Sequence, residues 1–323
     1  MNLEDARNNN KTNRPSERLS RIVRITRICS DICGADVFDP NYHVNIRTCL
    51  VLFIINFSII TFCVTIYKGL AGDDDWKIFL QVLSVGGGTL TQGYCKLVNC
   101  LRQRSKFCYL LDEVFSLFKE YELKSPSYRV YLNQGCQVLT YFMKLCAVVN
   151  VTMICGLILV AVAVNAIFNK HQLIVYGNIL GADPTTPNGF IATMIVQSGF
   201  LMVGGFGLYA GDMAFFTPIS QIATMKGILR CKFEDINAVI EGEDQEDHLK
   251  ISRLLSDDTY YWVIVAQIST YSIGIVCSLF CILLGTWPGG YIYMIYCLVM
   301  LFVYCGIGTL VDVTVSMRSN VQN

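Results

Sequence analysis

Apolar and polar segments alternate along the chain, and six of the apolar stretches are long. Most of these six reach the ~20 residues with which a helix crosses the ~30 Å hydrocarbon core of a bilayer. Strands of about ten residues with alternating polarity, which are typical of membrane β-barrels, are not seen in the sequence. The pattern predicts an all-α polytopic transmembrane helical bundle with about six spans, near residues 48–68, 78–95, 138–168, 190–222, 260–285 and 291–313.

The second span is the least apolar of the six, because it contains Gly86-Gly87-Gly88, Thr89, Gln92 and Lys96. A helix that faces lipid carries such groups at a high cost. We therefore expect this span to face the bundle interior or a water-filled cavity. The fourth span is rich in glycine, and Gly207 and Gly211 form a G-x-x-x-G step that lets another helix approach closely.

The composition agrees with a membrane protein. Only 15% of the residues are charged and 53% are hydrophobic, whereas a soluble domain carries about 25% charged residues. The charges are also distributed unequally between the two sides of the predicted membrane. All but four of the 25 Lys and Arg residues lie in the N-terminal arm, the second and fourth loops and the C-terminal tail. Because cytosolic loops carry the Lys and Arg excess, the N-terminus is predicted to be cytosolic.

The chain is predicted to have three regions. Residues 1–47 form a cytosolic N-terminal arm, residues 48–313 form the helical bundle, and residues 314–323 form a short polar tail. Within the bundle region, the stretches near 101–137 and 223–259 are predicted to be long cytosolic helices that extend the spans. In the first of them, apolar residues recur at helical spacing: Phe107, Leu110, Leu111, Val114, Phe118 and Tyr121.

The formal net charge is zero, which disfavours a nucleic-acid partner. The arm is an exception, because five arginines recur there at intervals of three and four and so share one face of a helix. This face either contacts anionic membrane lipids or only fixes the orientation of the chain in the membrane, and we favour the second interpretation. The five are Arg14, Arg18, Arg21, Arg24 and Arg27.

The sequence contains no pattern that indicates an enzyme, a metal site or a bound cofactor. Its three histidines, His43, His171 and His248, are far apart and have no metal-ligand spacing. The H-E-x-x-H, P-loop and G-x-S-x-G motifs are missing. The 15 cysteines fall in the spans or the cytosolic parts, where we expect reduced thiols that behave as small apolar groups.

Two ionisable residues lie inside predicted spans, and such residues are functional candidates because a charge is costly there. Lys144 lies about two turns into the third span, from which its side chain can reach the interface. Asp212 follows some twenty apolar residues of the fourth span, so it too lies near the inner boundary. A structural role is favoured over an ion path for both residues.

A ligand pocket is predicted in the outer half of the bundle, where the facing positions are apolar and aromatic with few polar groups. Such a lining suits a small volatile or lipophilic ligand, although helix packing alone also explains apolar residues in a bundle. The candidate ligand-binding residues are Phe79, Leu83, Met153, Leu157, Met194, Gln197, Phe200, Tyr291 and Met294.

Two stretches resemble insect odorant receptors, in particular those of mosquitoes. One runs from Gly207-Leu208-Tyr209-Ala210-Gly211-Asp212 to Ile222-Ala223-Thr224-Met225. The other is Phe302-Val303-Tyr304-Cys305-Gly306-Ile307-Gly308 in the sixth span, with an aromatic-Cys-x-x-Gly pattern. The cytosolic N-terminus, the long inner helices and the low hydropathy of the second span are also similar.

The resemblance implies a subunit of an odorant-gated, non-selective cation channel in the plasma membrane of sensory neurons. It also implies assembly with a co-receptor subunit into a hetero-oligomer, a tetramer, and odorant binding in the outer half of the bundle. Such receptors have seven helices, of which the seventh lines the pore. The sequence shows no seventh span after Val313, so that helix is expected to be missing here.

The sequence leaves other functions open. A gustatory receptor would share the topology, a small membrane transporter would need a cluster of ionisable residues at mid-membrane, and a non-conducting subunit would bind the co-receptor without passing current.

Overall fold

The computed structural model describes residues 14–32, 34, 38–39, 42–71, 76–168, 172–175, 184–234 and 258–319. These residues form nine α-helices and one five-residue π-helical turn, Leu83–Gly87. The helices are α1 Pro15–Ile32, α2 Ile46–Ala71, α3 Trp76–Val82, α4 Gly88–Arg102, α5 Arg104–Lys124, α6 Pro126–Phe168, α7 Pro187–Glu234, α8 Asp258–Leu283 and α9 Gly290–Ser319. The prediction of an all-α polytopic bundle is confirmed.

Four of the six predicted spans are long and apolar enough to cross a membrane, within the described residues: Ile46–Tyr67, Pro126–Phe168, Pro187–Gln221 and Val263–Leu283. In the sixth, the corresponding apolar helix is the shorter Gly290–Gly306, although α9 itself continues to Ser319. The predicted polar tail is thus helical as far as that residue. The second span is not one uniform helix, because the π turn separates α3 from α4.

The two longest helices, α6 and α7, pack antiparallel through glycines at both ends of their contact. A Cβ on Gly135 of α6 would lie 1.9 Å from Oγ1 of Thr224, and a Cβ on Gly205 of α7 would lie 2.3 Å from Cδ1 of Ile154. A side chain at Gly135 would push Thr224 aside, and one at Gly205 would displace the end of the Ile154 side chain. The helices can therefore approach closely without a hydrophobic driving force between them, as the membrane interior requires.

Helices α8 and α9 form a hairpin around a turn in which Gly285 has a φ of +63°. Tyr296 and Tyr304, on the buried face of α9, pack with Tyr271 of α8, and Tyr293 packs against Tyr296. All four side chains are at most 2% exposed, so the hairpin is joined by a buried aromatic cluster.

The predicted amphipathic helix is confirmed as α5. Phe107, Leu110, Val114, Phe118 and Tyr121 are all at most 3% exposed, so its apolar face is the buried one.

The arm forms the predicted helix, α1, which packs by Leu19 and Ile22 and presents Arg21 and Arg24 to the outside. Its first turn is held on α5 by a hydrogen bond of 3.3 Å from the Ser16 amide to Glu122. Burial raises the pKa of the Cys29 thiol on α1, so this thiol stays protonated at neutral pH.

Candidate ligand-binding cavity

A cavity of about 200 Å³ lies between α2, α4 and α7. Its wall is mostly apolar. The wall includes Ser58, Thr61 and Phe62 of α2, Val85 of the π turn, Thr89, Gly93 and Lys96 of α4, Met153 of α6, Val175, and Gln197, Phe200, Gly204, Gly207 and Gly211 of α7. An engineered apolar cavity of about 150 Å³ in another protein binds benzene, so the space here is sufficient for a small organic molecule.

Missing side chains create much of this space. A Cβ added to Gly204 on α7 or to Gly93 on α4 would meet no heavy atom within 4 Å. The Gly207–Gly211 step was predicted to admit a close helix, and at Gly211 this is so, because a Cβ there would lie 3.0 Å from Cδ of Lys96. The glycines of α7 therefore serve two purposes: some leave the cavity open, and others let the side chains of α4 pass.

The π turn shapes the same wall. It contains one more residue per hydrogen-bonded ring than an α-helix, and the carbonyl of Ser84 accepts a hydrogen bond of 2.9 Å from the Tyr293 hydroxyl. Gly86 of the turn is in close contact with Phe62, whose ring would lie 2.4 Å from an added Cβ. The turn thus brings α2 against the second span and places Val85 in the cavity wall.

The segment 172–175 contributes Val175 to the cavity wall, on the side predicted to be the outer one. The Gln197 amide donates to the carbonyl of Val175 at 2.7 Å and accepts from its backbone N–H at 3.3 Å. The Trp287 indole donates to the carbonyl of Ile174 at 3.1 Å. Side chains from α7 and from the α8–α9 turn therefore hold this segment in place.

Replacing Gln197 with leucine is expected to loosen the segment, because both hydrogen bonds to Val175 are lost. A net hydrogen bond contributes about 1 kcal/mol, so hydrogen–deuterium exchange of the Val175 amide should become roughly ten-fold faster. Ser198→Ala is the matched control, since Ser198 bonds only to Met194 of its own helix. Unchanged exchange at Val175 in the Gln197 variant would contradict this role.

A buried ion pair lies at the other end of the cavity. Lys96 Nζ of α4 is 2.5 Å from Asp212 Oδ1 of α7, and the two side chains are 5% and 0% exposed. The same carboxylate oxygen accepts a hydrogen bond from the Tyr304 hydroxyl of α9. The pair joins three helices and leaves no net charge beside the cavity.

Amide side chains continue the polar region next to the pair. Gln92 lies one turn before Lys96 on α4 and donates to the Thr270 hydroxyl at 2.6 Å. Gln267, one turn before Tyr271 on α8, is 0% exposed. The polar residues predicted to turn the second span towards the interior therefore do so, and they face α7, α8 and α9.

The structure brings three of the predicted ligand-binding residues together in the cavity: Met153, Gln197 and Phe200. Leu157 is buried in the hydrophobic core, and Met194 is partly buried and packs against the same core. Phe79, Leu83 and Met294 are half-buried outside the cavity wall. Tyr291 is 56% exposed, because α9 turns Tyr293 and Tyr296 inward instead.

The sequence did not predict the contribution of α2 or of Lys96 to the cavity. The α2 stretch is uniformly apolar, so its periodicity gives no sign of an inward face. Lys96 was recognised as a polar residue of the second span, but its partner, Asp212, lies 116 residues away on another helix. Lys144, within the third predicted span, is exposed on α6. Its side chain is therefore free to extend towards the membrane interface, as the sequence predicts. The described residues hold no cluster of side chains able to bind a metal ion.

The fold is that of a known class of polytopic membrane receptors. Two solved structures of the olfactory receptor OR5 from Machilis hrabei are similar to it, one of them in complex with eugenol. The complex matches with a TM-score of 0.69 and 17% identity, over 90% of this chain and 78% of that chain. The other structure matches with a TM-score of 0.64 and 18% identity, over 89% of this chain and 78% of that one.

A sequence comparison points to the same receptors. The chain is 24% identical to "Putative odorant receptor 83c" of Drosophila melanogaster over an alignment of 329 positions, which covers 92% of this chain and 81% of the relative. No family model matches the sequence. The predicted resemblance to insect odorant receptors is confirmed in fold and in sequence, and these relatives are receptors rather than enzymes.

Proposed function

We propose that the protein is an odorant receptor subunit that binds a small lipophilic molecule in the cavity between α2, α4 and α7. The observation that carries this proposal is the cavity of about 200 Å³ in a chain with the fold of a receptor solved with eugenol. A mostly apolar wall with a few placed polar groups is typical of small-molecule sites. Met153, Gln197 and Phe200 are the predicted contacts that this proposal retains.

The cavity extends from Val175 and Gln197, on the predicted outer side, to Lys96. Gln197 holds the segment that contains Val175, and the Lys96–Asp212 pair joins α4 to α7. A molecule between them contacts three helices at once, so its binding changes the free energy of arrangements in which these helices differ. This supports a receptor that converts occupancy into helix movement.

The partner, the location and the channel activity are proposed from the resemblance to insect odorant receptors. We propose that the subunit assembles with an odorant co-receptor subunit, as a hetero-tetramer, in the plasma membrane of sensory neurons. The assembly gates a non-selective cation channel when the ligand binds. The support for these statements is the likeness to insect odorant receptors in helix order and over most of the sequence.

Co-expression with an insect co-receptor subunit in a cell line tests the proposal. We expect small lipophilic odorants, with eugenol among the probes, to evoke cation current only when both subunits are present. The co-receptor expressed alone is the control. Absence of both current and odorant binding with the protein confirmed at the cell surface would contradict the proposal.

A small transporter is the second candidate, and one observation favours it. Lys96, Asp212 and Tyr304 form a buried ionisable cluster between helices, and such clusters mark transport pathways in membrane proteins. Uptake of a radiolabelled solute without any gated current would support this function instead.

A further inference from the structure

The hydroxyl of Thr61 is the unusual polar group in the cavity wall. Thr61 is 7% exposed and lines the cavity, yet its Oγ1 has no hydrogen-bond partner. Polar groups that are buried without a partner are rare, because such burial is costly. A partner absent from the folded chain would remove this cost.

Two other hydroxyls on α2 form hydrogen bonds to the backbone of their own helix, which the Thr61 hydroxyl does not. Ser58 donates to the carbonyl of Ile54 at 2.8 Å, and Thr65 donates to the carbonyl of Thr61 at 2.8 Å. Both bonds return to the carbonyl four residues earlier, which is the usual way in which a helix satisfies serine and threonine. The Thr61 hydroxyl makes no such bond and lies in the wall of an apolar space.

The polar side chains that α4 and α7 contribute to the wall are already engaged. The Thr89 hydroxyl donates to the carbonyl of Val85, the Gln197 amide is bonded to Val175, and the Lys96 ammonium is paired with Asp212. Of the polar groups that α2, α4 and α7 contribute, the Thr61 hydroxyl is therefore the one left to bond to a molecule in the cavity, and Ser30 of α1 adds a second hydroxyl to the wall.

The charges of the wall define the ligand further. Among the described residues that line the cavity, Lys96 alone is charged, and Asp212 neutralises it at 2.5 Å. An anionic ligand would bring a second negative charge towards the buried Asp212, and a cationic ligand would lie beside Lys96 without a counter-ion. Both arrangements are unfavourable in a low-dielectric interior, so the ligand is neutral.

Resting on the proposed function, we infer that Thr61 is a specificity-determining residue that selects neutral ligands with a hydrogen-bonding oxygen. Ketones, aldehydes, esters and alcohols of low molecular weight belong to this class. A hydrocarbon of the same shape would leave the hydroxyl unpaired, and a buried group without its partner discriminates strongly against such an analogue.

The test compares isosteric ligand pairs in cells that express the protein with the co-receptor. Each pair consists of a methyl ketone and the alkene in which =CH2 replaces the carbonyl oxygen, for example 2-heptanone and 2-methyl-1-heptene. The series covers ketones of five to eight carbons, and odorant-evoked current gives the half-maximal concentrations. We expect wild-type protein to respond to ketones at roughly ten-fold lower concentrations than to the matched alkenes.

Thr61→Val removes the hydroxyl and keeps the shape of the side chain. Since the hydroxyl has no partner in the fold, this change leaves folding intact. It should raise the half-maximal concentration for ketones by roughly ten-fold and leave that for alkenes unchanged, whereas Thr61→Ser should retain the preference. Thr65→Val is the matched control, because Thr65 bonds to its own helix and is outside the cavity wall.

The possible failures are distinguishable. A preference for ketones that survives in Thr61→Val would overturn the inference, as would equal responses of wild-type protein to ketones and alkenes. Responses confined to odorants without a hydrogen-bonding oxygen would overturn it as well. Silence towards every ligand, with the protein at the cell surface, would instead contradict the proposed function.

Discussion

Asp212→Ala is expected to destabilise the protein by about 3–5 kcal/mol, which is the usual cost of leaving one partner of a buried ion pair alone. The change strands the Lys96 ammonium in a region where it is 5% exposed and also removes the acceptor of the Tyr304 hydroxyl. Because total stabilities are about 5–15 kcal/mol, most of the variant should be retained inside the cell. Thermal unfolding of purified protein and the fraction at the cell surface are the measurements.

Two further variants distinguish the effect of breaking the Lys96–Asp212 ion pair from the general effects of mutation. In Lys96→Met combined with Asp212→Asn, both charges disappear, and stability should return towards wild type because no buried charge is left unpaired. Asp31→Ala breaks the ion pair with Arg47, which has an N–O distance of 3.0 Å but lies on the surface, where such pairs contribute little. If Asp212→Ala unfolded at the same temperature as Asp31→Ala, the structural importance of the buried pair would be refuted.

Gly204→Leu is expected to weaken the ligand-evoked response without harming the fold. A Cβ at this position meets nothing within 4 Å, and the position lines the cavity, so a leucine side chain would occupy space that the ligand needs. Helix stability should rise slightly, because glycine is about 1 kcal/mol less favourable than alanine in a helix interior. Half-maximal concentrations should increase at least ten-fold, a change of about 1.4 kcal/mol in binding free energy.

The control for this change is Gly199→Leu on the same helix. Gly199 also has open space around its Cβ position, but it does not line the cavity. Its substitution should therefore leave the response unchanged. If both variants respond like wild type, the ligand binds elsewhere in the bundle.

The sequence predicts the elements of this fold better than their mutual orientation. Helices α5, α6, α7 and α8 follow from hydrophobic length and periodicity, which are local properties. The polar content of the second span correctly indicated an interior position, whereas the π turn Leu83–Gly87 was not predicted. Three successive glycines allow many backbone geometries, so packing of α2 and α9 decides which one forms.

The candidate site was predicted only in part, for two physical reasons. The rotation of each helix about its axis decides which apolar residues face inward, and Tyr291 was placed inward although Tyr293, Tyr296 and Met300 mark the buried face at a spacing of three and four. The residues of α2 that line the cavity could not be predicted from the sequence, because side chains that face lipid and side chains that face a lipophilic cavity are equally apolar. Asp212 was recognised as unusual, but its pairing with Lys96 depends on contacts between distant helices.

The same pair has a consequence for how the chain is made. The segment with α3, the π turn and α4 is not among the described helices long and apolar enough to span a membrane, and an unpaired lysine within a span is costly. The carboxylate that neutralises Lys96 is synthesised 116 residues later, after the whole of α6. We therefore expect stable insertion of the second span to depend on the fourth, so that the bundle is inserted cooperatively rather than helix by helix.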